Sequence, residues 1–263
     1  MTSLSYAVSD SVTMLRRNLK HTLRYPTIAV AVAGIPIFFL LLFVYVFGGA
    51  LGTAVAGLSS GSTNYVDYVL PGLVVMTAAT GSMGTATSVC IDMTEGIIAR
   101  FRTMAIFRPS ILIGRVIASM IQTMASMALL LGVALLMGFR PTANLGEWIA
   151  AIGLLVMLTF ALTWLAVAFG LAAKTVDAAS NLPFPFILLP FVGSGIVPTD
   201  SMSVGVRWFA AYQPFTPIIE TLRGLLMGTP IANNALISVA WCADITLIGY
   251  IWSRKEFARD RTR

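Results

Sequence analysis

The sequence predicts an all-α integral membrane protein with six transmembrane helices, and three observations lead there. Only 11% of the 263 residues are charged, against roughly 25% in a soluble domain, while 57% are hydrophobic. Mean hydropathy is correspondingly high, at +0.87. Charge-free runs of spanning length recur along the chain, and the basic residues fall almost wholly into alternate connections between them. So little charge cannot cover a soluble protein of this length, which excludes the soluble globular, disordered and disulfide-scaffold classes.

The charge-free stretches are 25–66, 68–91, 116–139, 148–173, 178–199 and 224–243. Each is near or above the ~20 residues that carry a helix across a ~30 Å hydrocarbon core. Spans are accordingly expected at about 27–48, 68–90, 116–138, 148–172, 178–197 and 230–252, within one transmembrane domain covering 1–263. The excess length of the first stretch, GGALGTAVAGLSSGSTN, is too rich in glycine and small residues to be a further span.

Before the first span, Val8, Val12, Leu15, Leu19 and Leu23 recur at three- and four-residue intervals and form one apolar face. Arg16, Arg17, Lys20 and Arg24 avoid that face, and Asp10 or Ser11 can cap its start. The pattern over 1–26 suits a helix lying in the membrane interface; the plainer alternative is an amphipathic helix packed on the protein. A cleaved signal peptide does not fit, because the apolar run begins too late and is too long.

Of the 17 basic residues, 14 lie in the N-terminal segment, the connection after span two (Arg100, Arg102, Arg108, Arg115), the one after span four (Lys174) and the C-terminal tail. The opposite set holds only Arg140, Arg207 and Arg223. The positive-inside rule places both termini in the cytoplasm. The net charge of +6 is then a topology signal and an attraction to anionic lipids, with no nucleic acid needed to explain it. Cys90 and Cys242 sit in apolar context and read as buried hydrophobes, and a lone His21 cannot build a metal site.

Two connections break the plain pattern. In IDMTEGIIARFRTMAIFRPSILIGR (91–115), Asp92, Met93 and Thr94 are expected to begin a short helix with Glu95 near its positive end, stopped by Pro109. Ile97, Ile98, Phe101 and Met104 mixed with Arg100 and Arg102 suit docking onto a soluble partner; a solvated positive-inside loop accounts for the arginines but not the apolar residues. In span five, Pro183, Pro185, Pro190 and Pro198 remove backbone donors and bend the helix, which is tolerated at membrane depth only against protein or a wet cavity. The aromatic stretch 200–228 that follows reads as short helices dipping into the outer leaflet, where Glu220 and Arg223, three apart, either pair with each other or meet substrate.

In span six, Asp244 lies ten residues before Arg254, about 15 Å along a helix. A carboxylate at that depth costs about 2.5–3.5 kcal/mol and must face protein or water, in a functional role or as a helix-packing contact. No G-x-x-x-x-G-K-[ST] loop, HExxH or G-x-S-x-G motif is present, and no Cys/His cluster has metal spacing. The chain carries no recognisable catalytic machinery.

These features together resemble an ABC type-2 exporter permease, most like the daunorubicin-resistance-type drug-efflux permeases, over essentially the whole chain. The resemblance is most specific in DMTEGIIARFRTMAIFRPSILIGR and SGIVPTDSMSVGVRWFAAYQPFTPIIETLRGLLMG. It implies that Glu95, Gly96, Arg100, Phe101, Arg102, Gly114 and Arg115 belong to a cytoplasmic coupling helix that transmits ATPase movement. It implies likewise that Pro198, Gln213, Pro214, Glu220, Arg223, Gly224 and Gly228 belong to an extracellular re-entrant gate between spans five and six. The chain departs from the family pattern at Ala105 and at Ser203-Val204, where members usually carry proline and a proline-containing turn.

The function implied is that of a non-enzymatic transport subunit moving hydrophobic drugs or other amphipathic compounds outward by alternating access. A separate nucleotide-binding subunit would hold ATP and Mg, no cofactor would sit in this chain, and a second permease chain would complete a homodimer or heterodimer. Separate subunits and this topology fit the cytoplasmic membrane of a bacterium. Export of lipid or polysaccharide is the alternative within the family. An ion-coupled secondary transporter is the alternative outside it, disfavoured by the shortage of intramembrane ionisable residues, and an intramembrane lipid enzyme would need a polar constellation that is not there.

Overall fold

The computed structural model describes residues 26–48, 65–94, 109–199 and 202–259. The interfacial helix expected over 1–26 lies outside them apart from Pro26, and so do Glu95, Gly96, Arg100, Phe101 and Arg102. Every regular element among the described residues is helical.

Helix α1 (Pro26–Leu41) begins on proline, whose fixed φ suits a first turn that needs no donor. It continues as a π-helical turn over Leu42–Val46, closed by the Phe47 N–H donating to the Leu42 carbonyl at 3.3 Å. Phe39 and Phe43 lie 5.2 and 6.3 Å from the ring of Phe191, which ties α1 to the broken fifth segment.

Helix α2 (Tyr65–Thr94) is the centre of the bundle, with α1 and all the helices from α3 to α6, together with α8, packed around it. Thr77, Thr80, Thr87 and Ser88 donate to the carbonyl four residues back at 2.8–3.1 Å, so hydroxyls inside an apolar bundle need no outside partner. Small residues let its neighbours approach closely. A Cβ on Gly170 of α4 would lie 2.5 Å from the Ala86 carbonyl oxygen. Hydroxyl pairs Thr85–Ser119 and Thr87–Ser180 join α2 to α3 and α5.

Two boundaries differ from expectation. Asp92, Met93 and Thr94 form the last turn of α2 instead of opening a new helix, and α3 (Pro109–Leu136) starts at Pro109, so Gly114 and Arg115 stand on a helix. Arg115 and Asp92 pair at 2.9 Å between the two helices, so both charges are met within helical backbone. Of the expected connection 91–115, residues 91–94 and 109–115 are helical.

The turn after α3 uses Gly138 at φ 103°, a conformation suited to glycine. Asn144 and Glu147 then form a capping box that opens α4 (Leu145–Ala172). The fifth segment is not one helix over 178–197. It divides into α5 (Val176–Asn181) and α6 (Phe184–Val192), separated at Leu182-Pro183, and residues 193–198 are non-helical. Proline removes the donors that would bridge the break.

After it come α7 (Val204–Tyr212) and α8 (Phe215–Met227), the latter ended by Gly228 at φ 71°. Helix α9 (Asn234–Arg259) then packs along α4, where a Cβ on Gly249 would lie 2.6 Å from the Leu165 backbone nitrogen. Trp164–Tyr250 and Phe169–Trp252 ring contacts extend that seam.

Among the described residues, α2, α3, α4 and α9 are long and apolar enough to cross a membrane, and α1 and the α5–α6 pair are shorter apolar helices at the positions expected for spans one and five. The described residues are all-helical, and these helices make the chain a multi-pass membrane protein.

Candidate functional site

At the end of the bundle where α2 begins, Arg223 gathers three segments. Its Nη1 pairs with Glu220 Oε1 at 2.7 Å, one turn earlier on α8. Its Nη2 donates to the Ser194 carbonyl at 2.7 Å and the Tyr68 carbonyl at 3.1 Å, and the guanidinium lies 3.8 Å from the centroid of the Tyr68 ring. The Arg223 side chain is only 8% exposed, whereas Glu220 is 34% exposed, so the countercharge sits at the edge of water and the cation inside. A buried guanidinium is tolerable only with this many acceptors and a ring face.

The same residues fix the chain beyond α6. The Gly193–Gly195 turn is pressed against α2 and α8: a Cβ on Gly72 would lie 2.6 Å from the Gly195 Cα, and one on Gly193 would collide with Gln213 and Thr216. Gln213 Nε2 donates to the Leu189 carbonyl at 3.0 Å and to Thr216 Oγ1 at 3.2 Å. The Tyr65 hydroxyl reaches the Ile196 carbonyl at 3.3 Å. Three buried polar atoms in this knot, Ser194 Oγ, Gln213 Oε1 and Arg223 Nε, have no hydrogen-bond partner.

Of the residues expected at a re-entrant gate, Glu220 and Arg223 meet directly, while Gln213 holds the same segment separately through the Leu189 carbonyl. Pro214 precedes α8 as its cap residue, and Pro198 lies in the partly buried chain after the Gly193–Gly195 turn. The i,i+3 spacing of Glu220 and Arg223 does make the expected pair. Tyr68 and Ser194 were not foreseen, because their part is played by backbone carbonyls that carry no sequence signal. The Gly-Ser-Gly after a proline-rich run was the available hint.

At the opposite end, the Asp92–Arg115 pair joins the last turn of α2 to the second turn of α3 and brackets the connection 95–108. Both side chains are partly buried, at 29% and 25% exposure. Gly114 and Arg115 are the expected coupling residues among those described, and Asp92 is the partner of Arg115 across 23 residues of sequence.

Asp244 stands midway along α9 on the face turned away from α4, exposed on the single chain. It has no hydrogen-bond or ion-pair partner among the described residues. The tight Gly249–Leu165 contact, with Cys242 and Ser253 buried on the same side as Gly249, fixes the rotation of α9 and keeps Asp244 outward.

Comparison with known proteins bears on the same stretches. Residues 10–227 match the family model described as ABC-2 type transporter. The chain is 26% identical over 225 residues to the daunorubicin resistance ABC transporter permease protein DrrB1 of Streptomyces coeruleorubidus, an alignment covering 85% of this chain and 77% of that one. It is also 26% identical over 180 residues to the "Probable doxorubicin resistance ABC transporter permease protein DrrC" of Mycobacterium tuberculosis, covering 68% of this chain and 65% of that relative, just under two thirds of its length.

Proposed function

The chain belongs to the ABC-2 type transporter family, and from that membership we propose that it is the membrane-spanning permease subunit of an ATP-driven exporter of hydrophobic drugs or other amphipathic compounds. The observation that carries the reading is the family match over most of the chain, together with relatives named for resistance to daunorubicin and doxorubicin. In this reading the chain crosses the cytoplasmic membrane of a bacterium six times, with both termini inside, and α1 and the α5–α6 pair supply the first and fifth crossings.

The sequence has no phosphate-cradling loop, so the free energy comes from a separate ATPase subunit that binds ATP and Mg. ATP binding moves the permease only through its different affinity for the two conformations. Glu95, Gly96, Arg100, Phe101, Arg102 and Arg115 receive that movement, and the Asp92–Arg115 pair carries it from the connection into α2 and α3. Pro198, Gln213, Pro214, Glu220 and Arg223 form the outward gate. Asp244 acts at mid-bilayer, and a second permease chain, identical or related, completes the pathway.

The test is co-purification of this chain with the ATPase encoded beside it, then ATP hydrolysis in lipid nanodiscs. The expected result is a stable complex whose hydrolysis responds to hydrophobic compounds, with Glu95→Ala and Arg102→Ala hydrolysing ATP without export. A chain that purifies alone and moves solute down an ion gradient would overturn the reading.

A further inference from the structure

We infer that the Gly193–Gly195 turn is the moving part of the outward gate and that Arg223 is the latch that holds it shut, an inference that rests on the exporter function proposed above. Three observations converge on it. The first is that the turn is held by position and not by its own helix. Residues 193–198 lie outside the helices, so of the helical bonds the turn's shift costs only that of the Gly193 N–H to the Leu189 carbonyl at the end of α6. The second is that one side chain governs it. Arg223 bonds the Ser194 carbonyl and the Tyr68 carbonyl from the same nitrogen, so the turn and the first helical turn of α2 are clasped by a single cation. Bonds to a charged donor are roughly twice as strong as neutral ones, which makes this clasp the dominant local restraint.

The third observation gives the clasp a second position. Buried polar atoms are nearly always hydrogen-bonded, yet Ser194 Oγ, Gln213 Oε1 and Arg223 Nε are not, and all three belong to this knot. Each lowers the cost of releasing the turn, because opening it to water breaks no bond made by these three atoms. The backbones of Gly72 and Gly195 touch in the closed state, and Glu220 at the solvent edge offers Arg223 a partner it keeps when the carbonyls are released.

Arg223 is thus a positioning residue, and its test reads exposure of the turn through the transport cycle. Cys90 and Cys242 are replaced by alanine, and Ser194→Cys is introduced at a side chain that is 1% exposed and makes no hydrogen bond. The complex with its ATPase subunit is treated from outside with a membrane-impermeant maleimide, without nucleotide and after trapping with ATP and vanadate. Val204→Cys, at a residue 88% exposed, reports the sidedness of the same membranes.

Labelling of Ser194→Cys is expected to be at least about tenfold faster in the trapped state, as trapping shifts a minor open population to a dominant one. Adding Arg223→Gln makes labelling fast in both states, and Arg223→Lys restores part of the difference. Equal labelling with and without nucleotide in a complex that exports would overturn the inference while leaving the exporter reading standing. Where Ser194→Cys does not assemble, Thr216→Cys on the facing helix is read by the same criterion. A complex that exports nothing in any variant, or a Val204→Cys that labels only from inside, overturns the exporter reading and this inference with it.

Discussion

Gly72→Ala is the sharpest single test of how the polar knot is built. The new Cβ would stand 2.6 Å from the Gly195 Cα and 2.7 Å from its carbonyl oxygen, and both are backbone atoms that cannot rotate away. Ordinary carbon contact begins near 3.5 Å, so the turn must retreat by about 1 Å. The Ser194 carbonyl, now 2.7 Å from Arg223 Nη2, would be carried to the limit of hydrogen bonding. Overpacking of this kind costs about 1–3 kcal/mol, and losing a bond to a charged donor about 1.5–3 kcal/mol. The helix-propensity gain of alanine over glycine, about 0.8–1 kcal/mol, offsets part of this and leaves a net loss of about 1.5–5 kcal/mol.

The assay is thermal unfolding of the purified protein in nanodiscs, followed by tryptophan fluorescence. At roughly 2–4 °C per kcal/mol for a chain of this size, Gly72→Ala should melt about 3–20 °C lower. Gly84→Ala is the control on the same helix, since nothing lies within 4 Å of its added Cβ and only the propensity gain remains. It should melt at or slightly above the wild type. A Gly72→Ala protein that melts no lower than Gly84→Ala would refute the close approach of the turn to α2.

Further predictions concern the two ends and the middle. Asn144→Ala removes one half of the capping box and should cost about 1 kcal/mol in the same melt, with no loss if α4 starts elsewhere. Asp92→Asn and Arg115→Gln should each weaken coupling of hydrolysis to export, and Asp92→Arg with Arg115→Asp should recover part of it. A double-mutant cycle should give an interaction of about 1 kcal/mol for this partly buried pair, and strictly additive effects would exclude it. Asp244→Asn should lower export while leaving ATP hydrolysis by the complex intact; unchanged transport would remove Asp244 from the mechanism.

What could be read in the sequence follows the range of each interaction. Apolar runs located the helices, since a stretch without charge has to cross or be buried. The prolines at 183, 185 and 190 announced the break in the fifth segment, because a missing donor acts within one turn. The Glu220–Arg223 pair was legible at i,i+3. The Asp92–Arg115 pair was not, because it joins different helices and no local spacing reports that both residues lie within helices. The clasp on Ser194 and Tyr68 was likewise out of reach, since no side-chain pattern reports which backbone carbonyl a distant arginine will find.

The central position of α2 bears on how the chain is made. Of the four long helices it is the least apolar and the most enclosed, with threonines and glycines on surfaces that α3, α4, α6 and α8 later cover. Yet the ribosome delivers α2 before any of those four. For that interval a segment suited to a protein interior has to be held by the insertion machinery or lie against lipid. Biogenesis is therefore most exposed between release of α2 and arrival of α8, and a chain halted in that window presents its threonine-rich face to membrane quality control. Substitutions far from α2 that delay its later neighbours would lower the yield of mature protein without touching a residue of the finished site.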